Sequence, residues 1–153
     1  MTPAEQINLQ GRLRLKILGL HQHASSGHIG CSLSCIDIMI SILRYKNETD
    51  SFILSKGHAA SALYSMLSET GDIPEELLTT FYKDATTLPA HPAAGKYAAI
   101  PFATGSLGHG LPIVTGIAKA NKLKKTDAIS CVLMSETSQN CAKLNSSLLL
   151  FMR

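Results

Sequence analysis

Apolar residues recur at near-helical spacing at Ile7, Leu13, Ile17 and Leu20, with Arg12, Arg14 and Lys16 between them. That period predicts a long amphipathic first helix. Thr2-Pro3-Ala4-Glu5 supplies its start: Thr2 can accept from the backbone three residues on, Pro3 suits the first turn, and Glu5 completes a capping box. The helix is expected to end near His21. His23 to Cys31 has two glycines, three Ser or Ala residues and no period, so it reads as a loop. Ser32 then caps a second helix with Ile36, Met39, Ile40 and Leu43 on one face, ending near Tyr45.

The period changes at Phe52-Ile53-Leu54, a short apolar run between Asp50 and Gly57 that fits a buried parallel strand. It leads straight into Ser55-Lys56-Gly57-His58 and a small-residue helix from Ala59 to Leu67, closed by Gly71. Asp72-Ile73-Pro74-Glu75 repeats the capping pattern and predicts a helix through Phe81. Lys83 to Gly105 has no period and holds three prolines, and structureless segments of that length in a compact domain are usually functional or disordered. A helix over about Gly108 to Lys122 follows, with Pro112 in its first turn, then strands over Ala128 to Met134 and Leu148 to Phe151. Strand, Gly-His turn and helix in succession predict an α/β fold with a parallel sheet flanked by helices.

Composition narrows the function classes. In 153 residues, 14 Lys+Arg against 11 Asp+Glu leave a formal charge of only +3, aromatics are 5% and Trp is absent. There is neither a basic stripe nor a set of stacking platforms, so no nucleic acid partner is expected. The longest apolar run, Leu148 to Met152, falls far short of the roughly 20 residues of a membrane span, and no membrane association is expected. Glu5 and its polar neighbours stand where a signal peptide would carry its apolar core. Four cysteines, Cys31, Cys35, Cys131 and Cys141, are too sparse for a disulfide scaffold. The expected compartment is the cytoplasm.

Three of the six histidines directly follow glycine, at Gly27-His28, Gly57-His58 and Gly108-His109. Random pairing of these residues would give about 0.4 such dipeptides, so the excess points to imidazoles set where the backbone needs glycine's freedom. Such turns can present N–H groups to an anion with an imidazole as donor or proton relay, or they can be separate surface turns with solvated rings. A zinc site built on Cys31, Cys35 and His23 or His28 lacks a second Cys/His pair at ribbon spacing. The sequence contains neither a G-x-S-x-G elbow nor a P-loop.

Four ordered motifs carry a more specific signal: Ser26-Gly27-His28-Ile29-Gly30, Ile53-Leu54-Ser55-Lys56-Gly57-His58-Ala59, His91-Pro92, and Thr104-Gly105-Ser106-Leu107-Gly108-His109-Gly110. In order and approximate spacing they resemble the N-terminal thiamine diphosphate domain of transketolases, over essentially the whole chain up to Met134. Leu-Gly-His-Gly, in place of the more familiar Leu-Gly-Gln-Gly, resembles the split type, in which the enzyme is divided between two polypeptides. The resemblance implies a thiamine diphosphate-binding fold and transfer of a two-carbon ketol unit between sugar phosphates, as in pentose phosphate chemistry, with thiamine diphosphate and Mg²⁺ as cofactors. By the same resemblance His28 and His91 would reach the sugar near its reacting carbonyl. His58 would lie beside the cofactor's diphosphate and thiazolium end, and Gly105, Ser106, Leu107, Gly108 and His109 would bind the cofactor.

After Cys131-Val132-Leu133-Met134 the family has a Gly-Asp-Gly-Glu turn whose Asp binds magnesium, then a helix, then a strand ending in Asn. Here the chain reads Ser135-Glu136-Thr137-Ser138-Gln139-Asn140, leaving Glu136 as the one nearby carboxylate for the metal. Ala142-Lys143-Leu144-Asn145 and Leu148 to Phe151 resemble the later strand, as though the intervening helix were removed. The expectation is therefore one domain over residues 1–153, shortened at its C-terminal end. Nothing in the sequence matches the domain that supplies the pyrimidine-activating Glu, so the resemblance implies a homodimer, a second transketolase subunit, or both. The alternative is a catalytically inactive shortened homologue with a structural or regulatory binding role.

Overall fold

The computed structural model describes residues 1–135 and 149–152. It divides into two compact units: residues 1–44 with 58–103, and residues 45–57 with 104–153.

In the first unit, helix α1 (Pro3–Ala24) starts as the sequence dictates, with Thr2 accepting from the Glu5 N–H and the Glu5 carboxylate accepting from the Thr2 N–H at 2.6 Å. Leu9, Leu13, Ile17 and Leu20 are buried along one face. This face packs against α2 (Ile29–Leu33) and the small-residue helix α4 (Ala60–Glu69), which itself is buried from Ala60 to Leu67. Helix α3 (Ile36–Tyr45) buries Ile36, Met39, Ile40 and Ile42. Cys35 is buried ahead of it as a small apolar residue, its thiol donating to the Cys31 and Ser32 carbonyls. Glu69 on α4 accepts from Arg12 and Lys16 of α1, fixing the two helices on their exposed side.

Several boundaries differ from the periodic reading, each for a local reason. Helix α1 runs past His21 to Ala24, because its stop is Ser25 in a left-handed conformation (φ 46°) and not the glycines that follow. The segment read as a loop to Cys31 already turns helical at Ile29, and a tight turn in which the Cys35 N–H donates to Ser32 O separates α2 from α3. Residues Glu75–Thr80 form a 3₁₀ helix and not an α-helix. Thr79 and Thr80 donate their hydroxyls to the Glu76 and Leu77 carbonyls, competing with the helical ladder.

In the second unit, β1 (Ser51–Leu54) pairs in parallel with β2 (Ser130–Leu133), Ser51 opposite Ser130 and Leu54 opposite Leu133. The Asp50 carboxylate pins this register, accepting from the Ile129 N–H at 2.7 Å and the Asn47 N–H at 2.9 Å. Helix α5 (Gly110–Leu123) packs on the strands, and Ile53, Val114, Val132 and Met134 make the core beneath it. Strand β3 (Leu149–Met152) joins β2, but antiparallel, with Ser130 opposite Met152. This corrects the expectation of a parallel third strand. A parallel partner needs a crossover that places a whole segment on one face of the sheet, whereas an antiparallel one needs only a return of the chain. Residues 136–148, which include Glu136 and the stretch 142–145, lie outside the described residues. No helix among the described residues is long and apolar enough to cross a membrane.

Gly110 opens α5 where a side chain cannot fit, since a β-carbon there would lie 2.8 Å from Ser55 Cα. Its N–H donates to Ser55 Oγ at 3.1 Å. Gly110→Ala should therefore lower the thermal midpoint despite alanine's helix advantage of about 1 kcal/mol, overpacking costing about 1–3 kcal/mol. Thermal unfolding followed by circular dichroism checks this, and Gly116→Ala in the same helix, where a β-carbon meets nothing within 4 Å, should raise the midpoint.

Candidate active site

Three histidines from separated stretches of the first unit come together. His28 ends the turn between α1 and α2 in a left-handed conformation (φ 66°). His58 stands in a short 3₁₀ turn, Gly57–Ala59, that leads from β1 into α4. His91 comes from the irregular segment after Phe81. The His28 and His58 ring centroids are 4.6 Å apart, and those of His58 and His91 are also 4.6 Å apart, the second pair nearly edge-to-face. Separate surface turns would not bring three imidazoles within contact.

The loop that carries His91 is tied from beneath. Tyr64, fully buried on α4, donates its hydroxyl to Pro89 O at 3.0 Å, with His91 O at 3.4 Å from the same oxygen. Burial pushes the Tyr64 phenol far above its ordinary value, so it stays a neutral donor. Thr87 Oγ1 and Tyr97 Oη, 2.8 Å apart, close the same loop on itself. A cavity of about 90 Å³ opens over the rings, lined among others by Ser26, His28, His58, Tyr82 and His91. Burial, followed by the neighbouring His91 and His28 rings, holds the His58 pKa below the usual 6.5.

In the second unit the Thr104–Gly110 stretch has the features of a backbone cradle. Gly105 (φ 155°) and Gly108 (φ 83°) take conformations that disfavour side chains. A β-carbon on Gly57 would stand 2.6 Å from Gly105 N, so main chain approaches main chain directly. Thr104 is buried and its Oγ1 has no hydrogen-bond partner among the described residues, a need that a polar group entering the loop would meet. Ser106, Leu107 and His109 are exposed beside it. These residues fit a diphosphate-bearing cofactor, with backbone accessible at the glycines and a hydroxyl awaiting a partner. Among the described residues no group of three His, Cys, Asp or Glu is placed to hold a metal ion. Glu136 lies outside them.

The histidines and the Gly105–Gly108 loop are legible in the sequence as motifs. Tyr64 and His21 are not. A tyrosine in a run of small buried residues is the signal for Tyr64, since a buried phenol needs an acceptor. Thr104 gives no signal beyond its place in a motif. His21, at the end of a periodic helix, reads only as a helix-terminal residue.

The profile of the family described as "Transketolase, thiamine diphosphate binding domain" matches residues 7–130. One subunit of the apulose-4-phosphate transketolase of Actinobacillus succinogenes is 39% identical over 121 residues, covering 72% of this chain and 44% of that protein. Human transketolase is 36% identical over 134 residues, 80% of this chain and 21% of that protein. Among solved structures, transketolase from Campylobacter jejuni superposes with a TM-score of 0.80 at 28% identity, over 92% of this chain and 25% of that one. The chain thus spans about half, or less, of the length of these relatives. With the three histidines gathered, the glycine cradle formed and the profile running through all four motifs, this chain belongs to the transketolase thiamine diphosphate binding domain family.

Proposed function

We propose that the chain acts as part of the N-terminal subunit of a split, thiamine diphosphate-dependent transketolase, moving a two-carbon ketol unit between sugar phosphates together with a second subunit. The observation that carries this reading is the contact of His28, His58 and His91 over one cavity. Burial and the neighbouring His91 and His28 rings disfavour the charged form of His58. A neutral imidazole donates from one nitrogen and accepts at the other. It can therefore hold an oxygen as it changes from carbonyl to alkoxide and return the proton afterwards. His58, kept neutral by burial, serves as acceptor between two more exposed rings. The carbanion chemistry is what thiamine diphosphate supplies when bound. Thr104 Oγ1 and the Gly105–Gly108 backbone would hold it, and the relatives' division into subunits supports a partner chain across from them.

The sequence departure at Ser135-Glu136 favours a second reading, a non-catalytic homologue with a structural or regulatory role. Calorimetric titration with thiamine diphosphate and Mg²⁺ decides between them. Saturable binding, weakened about tenfold in Thr104→Val by loss of one hydrogen bond to a charged group, supports the enzyme reading. No heat at any concentration supports the other. Ketol transfer should be absent from the isolated chain and appear with the second subunit, and His91→Ala should then lower kcat/KM about 10²-fold or more, the range of a positioned proton-transfer group.

His58 also makes stability depend on pH. Its native pKa is lowered, so between that value and the ordinary 6.5 the unfolded chain binds a proton that the native state refuses. Stability should fall as the pH drops below 6.5 and level off below the native value. Urea unfolding from pH 7.5 to about 4.5 should show that fall, and His58→Gln should flatten it.

A further inference from the structure

Another histidine, His21, lines the same cavity but is nine-tenths buried and uses both ring nitrogens. Nδ1 lies 2.9 Å from Ser26 Oγ and 3.2 Å from Ser26 O. Nε2 lies 2.9 Å from Ser61 Oγ, which is 2.7 Å from Ser32 Oγ. The ring also meets Phe81 edge-on at 5.9 Å. From these contacts we infer that His21 is a positioning residue that brackets the His28 turn onto the helix following His58, and so sets the spacing of the two imidazoles. The inference deepens the proposed function, resting on the reading that these rings form the site.

The turn needs such a bracket. It runs Ser25-Ser26-Gly27-His28, with Ser25 (φ 46°) and His28 (φ 66°) both left-handed and neither of them glycine. Left-handed backbone at such residues is strained and persists only where surroundings hold it. Within the turn the Ser26 N–H reaches His21 O at 3.3 Å, a long bond. The imidazole adds the ties that act on Ser26 from the side chain. Ser61 is three residues after His58 and on the same short stretch, so His21 grips the bases of both site histidines. Both ring nitrogens are thus engaged within the protein. Ser32, fully buried, ends the chain of hydroxyls.

The two ring nitrogens allow the bracket to be cut on one side at a time. An Asn at position 21 sets its amide near the Nδ1 position and keeps the tie to Ser26, while Gln reaches the Nε2 position and keeps only the tie to Ser61. His21→Asn, His21→Gln and His21→Phe would be compared by thermal midpoint, by the nuclear Overhauser contact between the His28 and His58 rings, and by exchange of the Ser26 amide. The expected result is that Asn, Gln and Phe all weaken the ring contact, because each cuts one side of the bracket or both, whereas only Gln and Phe exchange Ser26 about tenfold faster, the scale of one lost hydrogen bond. Should Phe fail to fold, the Asn and Gln pair still carries the comparison, as does Ser26→Ala, which removes the 2.9 Å contact and leaves the ring. An unchanged ring contact in either Asn or Gln, or equally fast Ser26 exchange in both, overturns the inference. These readouts need no cofactor, so failure of thiamine diphosphate to bind would sink the proposed function while leaving the role of His21 to be judged by the ring contact alone.

Discussion

The second unit depends on a place where no side chain fits. At the end of β1 the chain passes Ser55 and Gly57, and there it meets the Thr104–Gly110 segment backbone to backbone. The Gly110 N–H on Ser55 Oγ fastens the start of α5 to the end of the strand. The Lys56 N–H continues the parallel pairing by donating to Leu133 O. A β-carbon at Gly57 or Gly110 would push these segments apart, taking with it the left-handed Gly108 turn and the buried Thr104 hydroxyl. Close packing in this sense is a chemical requirement, because a loop that must present main chain cannot also fill its own interior with side chains.

The first unit solves a different problem, that of holding soft imidazoles still. Each of the three histidines sits on an irregular or strained piece of chain, and two of those pieces are anchored to a helix by a buried polar side chain. Tyr64 of α4 holds the His91 loop, and His21 of α1 holds the turn before His28. Helix α4 packs against α1 and carries the small buried residues Ala60, Ser61, Ala62 and Ser65, and the Ser61 hydroxyl meets His21 of α1. Buried polar groups are costly when unpaired, and here Tyr64 and His21 meet that cost by fixing loops.

The sequence made the α/β order and the strands at Ser51–Leu54 and Ser130–Leu133 readable, because hydrophobic period is a local signal, whereas the grouping of His28, His58 and His91 was carried by the family resemblance, since Gly-His pairs mark His28, His58 and His109 but not His91. It did not make the direction of β3 readable, since a short apolar run pairs either way and only the path of the chain decides. The 3₁₀ helix at Glu75–Thr80 was hidden for another reason: a capping pattern announces a helix start but says nothing of later hydroxyls that unmake it. The positioning roles of Tyr64 and His21 depend on residues far apart in the chain, such as Tyr64 with Pro89 and His21 with Ser61. No periodicity carries that information.

The clamp of Asp50 on Ile129 closes a loop of 79 residues, and this bears on how the protein folds. Parallel pairing of β1 with β2 cannot begin locally, because the strands meet only when that whole span returns on itself. The entropy of closure falls if the span is compact first, and residues 58–103 within it belong to the other unit, with its own core of Leu63, Tyr64, Leu67 and Leu88. Assembly is thus ordered by topology: the histidine-bearing unit can condense from nearby helices, whereas the sheet that carries the glycine cradle waits for it. A chain emerging from the ribosome would keep β1 unpaired until residue 133 had been made, leaving an apolar strand edge exposed throughout that interval.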